Sequence, residues 1–433
     1  MEVYFIMIKP KRIFALILLL AMVTLTIAGC TKDSNKNNEE STNISSGSSE
    51  ETKISGKLVV WVGDTVENMF KELASEFTLE TGVEVEIIPF TGLAATDKLA
   101  LDGPAGKGGD VYMQGSGGIL GKAVEQGLFI ELPEDKLELE KFTDGAIDGY
   151  VYKGKLYGLP MGLEVPAFIY NKKLVSSIPE KWDDFITEMK KITDIQNDKY
   201  GFLMDITNPY FFVPLFDAEG GYVFRENNGV YDVEDIGLNN DGSKKVFKML
   251  KNYVDEGILP KNMGFDVMQK KFTDGKAAVI FDGPWSVNTY LNAGLEIGVA
   301  PIPQFSNGNY PRVFSGSYGL AISAYTKNFD AALEFLKFAT SKNSIMKYFA
   351  QTKRIPPLKE CLELDEIKND PIIKGFSEQF KHSIPQPNVA EMDMIWGPMM
   401  DGVAVILSEN RPVDETFDQA VAKIKELIAT MKK

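Results

Sequence analysis

Between Lys57 and Ile87 the apolar pattern changes period twice, and no other feature narrows the fold as far. Leu58 to Val62 is a continuous apolar run, as a strand covered on both faces requires. Val66, Met69, Phe70, Leu73 and Phe77 then recur at helical spacing until Gly82 stops the helix, and Val83, Val85 and Ile87 alternate as a second strand. Strand, helix, strand predicts a parallel pairing reached by a right-handed crossover, and so an α/β fold. Similar units recur downstream. Asp110 to Met113 reads as a strand, Trp182, Phe185, Ile186, Met189 and Ile192 as one helix face, and Val246, Met249, Leu250 and Tyr253 as another. Ala277 to Phe281 reads as a short buried strand closed by Asp282-Gly283-Pro284, and a last helix runs on from Pro412 with Phe417, Val421, Ile424, Leu427 and Ile428 on one face. In open parallel sheets ligands bind beyond the carboxyl ends of the strands. That rule points to Asp64, Gln114 and Trp285, each of which follows a predicted strand.

Gly56 to Lys433 is 378 residues, more than one core usually supports, so two domains are expected. What precedes them reads differently. Lys9, Lys11 and Arg12 make a basic start, Ile13 to Ile27 is uncharged and apolar, and Ile27-Ala28-Gly29-Cys30 sets small residues before a cysteine. Residues 1–29 therefore read as an export signal ending in a lipobox, with Cys30 as the lipidated residue. The apolar run is shorter than the roughly 20 residues a membrane helix needs. Thr31 to Ser55 is polar and aperiodic, so residues 30–56 are expected to form a disordered tether. Two acyl chains on Cys30 would anchor the protein stably to a membrane. The expected location is the outer face of the cell membrane, or the periplasm where an outer membrane is present.

The formal charge is −15, and it becomes −17 once residues 1–29, with three basic side chains and one acidic, are removed. So acidic a chain excludes nucleic acid as a partner and leaves the lipid anchor as the expected membrane contact. With Cys30 assigned to lipid only Cys361 remains, so no intrachain disulfide is expected. The single histidine, His382, excludes a His-rich zinc or copper site. It lies between Lys381 and Ser383 and reads as a surface side chain rather than a catalyst.

Several segments, in order, resemble the sugar-binding receptors of bacterial ABC importers, most closely the maltose/maltodextrin-binding family. They are Lys57-Leu58-Val59-Val60-Trp61-Val62, Gly154 to Pro160 followed by Glu164 and Ile169-Tyr170-Asn171-Lys172, and Asn208-Pro209-Tyr210-Phe211. Gly220-Gly221-Tyr222, Phe272 to Ala278, Gly283-Pro284-Trp285 and Ala331 to Leu336 continue the series. The resemblance implies an α/β, two-lobed fold with a mostly parallel, helix-flanked sheet in each lobe and the ligand in the cleft between them. One lobe would comprise residues 57–162 and 320–363 and the other 167–314 and 368–433, with a hinge near 163–166, 315–319 and 364–367. It further implies an oligosaccharide ligand, an ABC permease as partner, a monomeric state, and no cofactor and no catalysis.

Sugar binding needs flat apolar faces for pyranose rings and planar polar groups for paired hydroxyls. By resemblance Trp285, Trp396 and Tyr210 are the stacking aromatics, and Glu164 and Asp64 the hydroxyl-binding acids. Trp285 and Trp396 each read as lying in a Gly/Pro-flanked turn, whereas Trp61 and Trp182 fall inside a strand and at a helix start and read as core. Glu164 has the apolar neighbours Met161, Leu163, Val165 and Pro166, which suits either a site or a salt bridge. Departures from the family matter too. Where it has a stacking tryptophan and an Asp-Arg pair this chain has Gln114 and Gly115-Ser116-Gly117-Gly118, its lysine after Asp64 is Thr65, and its acid two positions before Tyr210 is Asn208. Gln114 and Asn208 are then the expected ligand contacts at those places, and the ligand is a maltodextrin held differently or a related oligosaccharide. Two alternatives stay open: a lipoprotein glycosidase, which needs two carboxyl groups across the scissile bond, and the same fold holding a non-sugar ligand such as a polyamine.

Overall fold

The structure, a computed structural model, describes residues 56–90, 95–227 and 230–431. The export signal, Cys30 and all of the tether but Gly56 lie outside the described residues.

The opening strand, helix and second strand form as the period changes predict. Strand Lys57–Gly63 pairs in parallel with Glu84–Phe90 across helix Glu67–Thr81, whose Met69, Phe70, Leu73 and Phe77 are buried. Gly82 ends that helix in the left-handed conformation that glycine adopts without strain. On its other side Lys57–Gly63 pairs in parallel with Val111–Gly115. The ten-residue strand Val313–Ile322 then runs antiparallel to Val111–Gly115 and to Gly158–Glu164, and its first residues pair with Ser383–Pro385.

The second sheet corrects the expectation of a mostly parallel sheet in each lobe. Its order is Ile297–Ala300, Ala167–Asn171, Ala277–Asp282, Tyr200–Leu203, and two of its three pairings are antiparallel. The reason lies in how Ala167–Asn171 arrives. It is the direct continuation of Gly158–Glu164 from the first sheet, separated from it only by Val165 and Pro166, so its direction is fixed by the crossing rather than by a helical return. Pro166, with no N–H to give, ends the first ladder there.

Helices cover both sheets. Trp182–Ile192 buries Trp182, Phe185, Ile186 and Met189, and the Trp182 indole donates to the Tyr253 hydroxyl at 2.9 Å. Trp61 and Trp182 are both core, 6% and 2% exposed. Gly375 lets helix Pro371–Phe380 lie on the second sheet, because a Cβ there would stand 2.3 Å from the Val299 carbonyl oxygen. Among the described residues no helix is long and apolar enough to cross a membrane.

Candidate functional site

A cleft of about 750 Å³ opens where the chain passes between the two sheets, a volume within the range of small-molecule sites. Its walls carry Tyr210, Phe265, Trp285, Phe314, Tyr318 and Trp396, with Glu164, Asn208, Arg354 and Asp393 among the polar groups.

Trp285 reaches the cleft because of the turn that follows Ala277–Asp282. The buried Asp282 carboxylate accepts from the Gly283 N–H at 2.7 Å, from Gln269 Nε2 at 3.2 Å and from the Tyr290 hydroxyl, which fixes the turn Pro284–Ser286. Burial still raises the Asp282 pKa, against the pull of these hydrogen bonds. A Cβ at Gly283 would lie 2.2 Å from the Trp285 ring, so the glycine lets the indole settle over its own turn. Tyr210 stands 6.4 Å from Trp285, tilted by 57°. Its position is set by Asn208, whose Oδ1 accepts the Tyr210 N–H at 3.0 Å and caps the short helix Pro209–Phe212. Burial pushes the Tyr210 phenol pKa up, so the group stays a neutral donor and acceptor.

Trp396 lines the cleft from the first turn of helix Asp393–Glu409, not from a Gly/Pro turn. The helix continues through Pro398 because Ile395, Met399, Val403, Ile406 and Leu407 bury one long face, where Gly402 meets Thr416 of helix Val413–Met431. Tertiary burial outweighs the hydrogen bond that the proline forfeits.

The charges in the cleft are paired within the protein. Glu164 Oε2 accepts from Arg354 Nε at 2.6 Å, both side chains being mostly buried, and the guanidinium lies 5.0 Å over the Tyr318 ring and 5.9 Å from that of Tyr348. Asp393 pairs with Lys122 Nζ at 3.0 Å. Burial alone would weaken the Lys122 charge, but the Asp393 hydrogen bond outweighs it and raises the lysine pKa.

Of the seven residues expected to touch ligand, Glu164, Asn208, Tyr210, Trp285 and Trp396 line this one cleft. Gln114 and Asp64 do not. The Gln114 side chain is buried and its Nε2 donates to the Gly115 carbonyl at 3.1 Å, while Asp64 opens an exposed turn after the first strand. The glycine run after Gln114 is filled by neighbouring chain: a Cβ at Gly118 would stand 2.6 Å from Met392 Cβ, and one at Gly117 would stand 2.6 Å from Gln386 Oε1. Ser116 is held to the crossing strand, its Oγ accepting the Ser317 N–H at 2.9 Å. Sequence reasoning missed Arg354, Tyr318 and Asp393 as cleft residues. The Ser315-Gly316-Ser317-Tyr318-Gly319 segment carried a signal but only as hinge backbone, and no local pattern marked Arg354.

Residues 72–375 match the family of bacterial extracellular solute-binding proteins. The chain belongs to that family. A galactooligosaccharide-binding protein of Bacillus subtilis is 31% identical to this solute-binding protein, over 96% of this chain and 97% of the relative. A maltooligosaccharide ABC transporter solute-binding lipoprotein of Streptococcus pneumoniae is also 31% identical, over 88% and 90%. Among solved structures, a cyclo/maltodextrin-binding protein complexed with maltotetraose superposes with a TM-score of 0.79 at 36% identity, covering 89% of this chain and all of that one. The two-lobed fold of this family is thereby the fold of this chain.

Proposed function

We propose that this solute-binding protein captures a maltodextrin or a related neutral oligosaccharide in the cleft and delivers it to the permease of an ABC importer. One observation carries the reading: six aromatic side chains wall a cleft whose acidic groups already have basic partners inside the protein. Aromatic faces suit the C–H faces of pyranose rings, and a site with no unpaired charge suits a neutral polyhydroxyl ligand. The ligands of the similar proteins, galactooligosaccharide, maltooligosaccharide and maltotetraose, support the same class. A polyamine would instead need acids left free to meet its ammonium groups. A glycosidase would need a carboxylic acid able to give up a proton, and Glu164 is bound to a guanidinium.

In this reading residues 57–162 with 320–363 form one lobe and 167–314 with 368–433 the other, hinged near 163–166, 315–319 and 364–367. Closure about that hinge shifts the population only so far as the ligand prefers the closed form. Cys30 carries the lipid anchor, the protein works as a monomer outside the cytoplasm, and it neither holds a cofactor nor turns over its ligand. Gln114 backs the cleft wall through its bond to Gly115. Calorimetric titration with malto-, galacto-, cello- and xylo-oligosaccharides, with each mixture checked for hydrolysis, tests the proposal. Micromolar or tighter binding of one series without hydrolysis is expected. Binding of spermidine with no response to any sugar, or product release abolished by Glu164→Gln, would overturn it.

A further inference from the structure

Glu164, which the family resemblance makes a hydroxyl-binding acid, lines the cleft beside Arg354, whose own part is not yet accounted for. Arg354 is 190 residues further along the chain and arrives by a specific route. Ile355 and Leu163 exchange both backbone hydrogen bonds, N–H to carbonyl at 2.8 and 2.9 Å, which sets Arg354 beside Glu164 at the end of Gly158–Glu164. Gly162 leaves the room it needs, since a Cβ there would fall 2.7 Å from Arg354 Cβ and 2.9 Å from the Tyr348 ring. Tyr318 and Tyr348 then flank the guanidinium, and among the described residues Glu164 supplies the carboxylate that pairs with it.

Arg354 takes Oε2 of Glu164, and among the described residues no protein donor bonds Oε1. A mostly buried carboxylate with one oxygen held and the other open is an acceptor fixed in direction before a hydroxyl arrives, which lowers the ordering cost of binding. The clamp also comes from the same side of the crossing as Gly158–Glu164, just before Val165 and Pro166 lead to the second sheet.

We propose, resting on the oligosaccharide reading, that Arg354 is a positioning residue for ligand capture: it holds Glu164 to the first lobe and presents Oε1 to the sugar hydroxyls. Arg354 acts through Glu164 and does not itself hold the ligand. A paired guanidinium therefore contributes nothing once Glu164 can no longer be the acceptor.

The test is a double-mutant cycle on the purified protein, read by calorimetry with the tightest-binding sugar of the panel. Arg354→Met and Glu164→Leu are each expected to weaken binding at least tenfold, and the double variant to stay within about threefold of Glu164→Leu alone. Arg354→Lys, which keeps the charge but not the planar fork, should recover part of the affinity lost in Arg354→Met. A double variant whose loss equals the product of the two single losses, or a lysine variant no better than methionine, overturns the inference. Thermal melting of the same four proteins reads the pair without any sugar. Arg354→Met, which strands a buried carboxylate, should melt below the double variant, and the opposite order also overturns the inference. Failure of the wild type to bind any sugar would refute the proposed function, while the melting order would still decide on the pair.

Discussion

Replacing Trp285 by alanine asks whether the aromatic walls carry the affinity. An indole side chain can bury roughly 200 Å², and a sugar ring laid on one face would cover about half of it. At about 25 cal/mol per Å² that face contributes about 2.5 kcal/mol, or roughly a 70-fold change in Kd. The ring is already confined by Gly283 and Tyr210, so its removal recovers little ordering entropy and the figure stands largely undiscounted. Because Trp285 is only partly buried, the melting temperature should move by no more than a few degrees. Calorimetric titration of wild type and Trp285→Ala with the same sugar, beside thermal melts of both, gives the two numbers. A Kd within threefold of wild type, with the melt unchanged, would refute the stacking argument.

Lys122→Met removes a partly exposed bridge between helix Gly118–Glu125 and helix Asp393–Glu409. Such a pair contributes at most about 1 kcal/mol, so sugar affinity should fall by no more than about fivefold, seen chiefly as faster release in stopped-flow fluorescence. Gly319→Ala should unfold the protein at markedly lower temperature, because the new Cβ would stand 2.0 Å from the Leu159 carbonyl oxygen; Gly316→Ala, whose nearest neighbour is 3.7 Å away, should melt like wild type. His382 stacks on Tyr310 at 3.8 Å, and burial lowers its pKa below 6.5, with Glu378 opposing and Lys381 adding to the shift. The native state then binds fewer protons than the unfolded chain, so this stability is present above pH 6.5 and is lost as pH falls below it. His382→Phe should flatten that part of the melting curve against pH, and an unchanged slope would show that other groups cause it.

What could be read from the sequence follows from how local each signal is. The helix at Glu67–Thr81, the strand at Ala277–Asp282 and the cap at Gly82 rest on neighbours in sequence, and they formed within a residue or two of expectation. The resemblance to the sugar-binding family anticipated Trp285 and Tyr210 in the cleft, and for Trp285 the Gly283-Pro284 turn pointed the same way. Arg354 could not, since only the Leu163–Ile355 bridge brings it to Glu164. The direction of Ala167–Asn171 was hidden for the same reason, because it depends on the strand crossing between sheets. Gly-Pro at residues 397–398 suggested a turn, but the helix is held by the face it buries far along the chain. Gly319 lies in the segment expected to serve as hinge, and what no local pattern showed is that its missing Cβ also permits the close approach of two strands.

The internal pairing of Glu164 with Arg354 and of Asp393 with Lys122 bears on the medium in which the protein works. A neutral ligand entering a site already charge-balanced exchanges no counter-ions with solvent, so its capture is largely insensitive to ionic strength. The acidic body, at −15 overall, can repel or attract other molecules as salt varies without changing what the cleft retains. A scavenger exposed to surroundings it does not control keeps one affinity through dilution and brine alike.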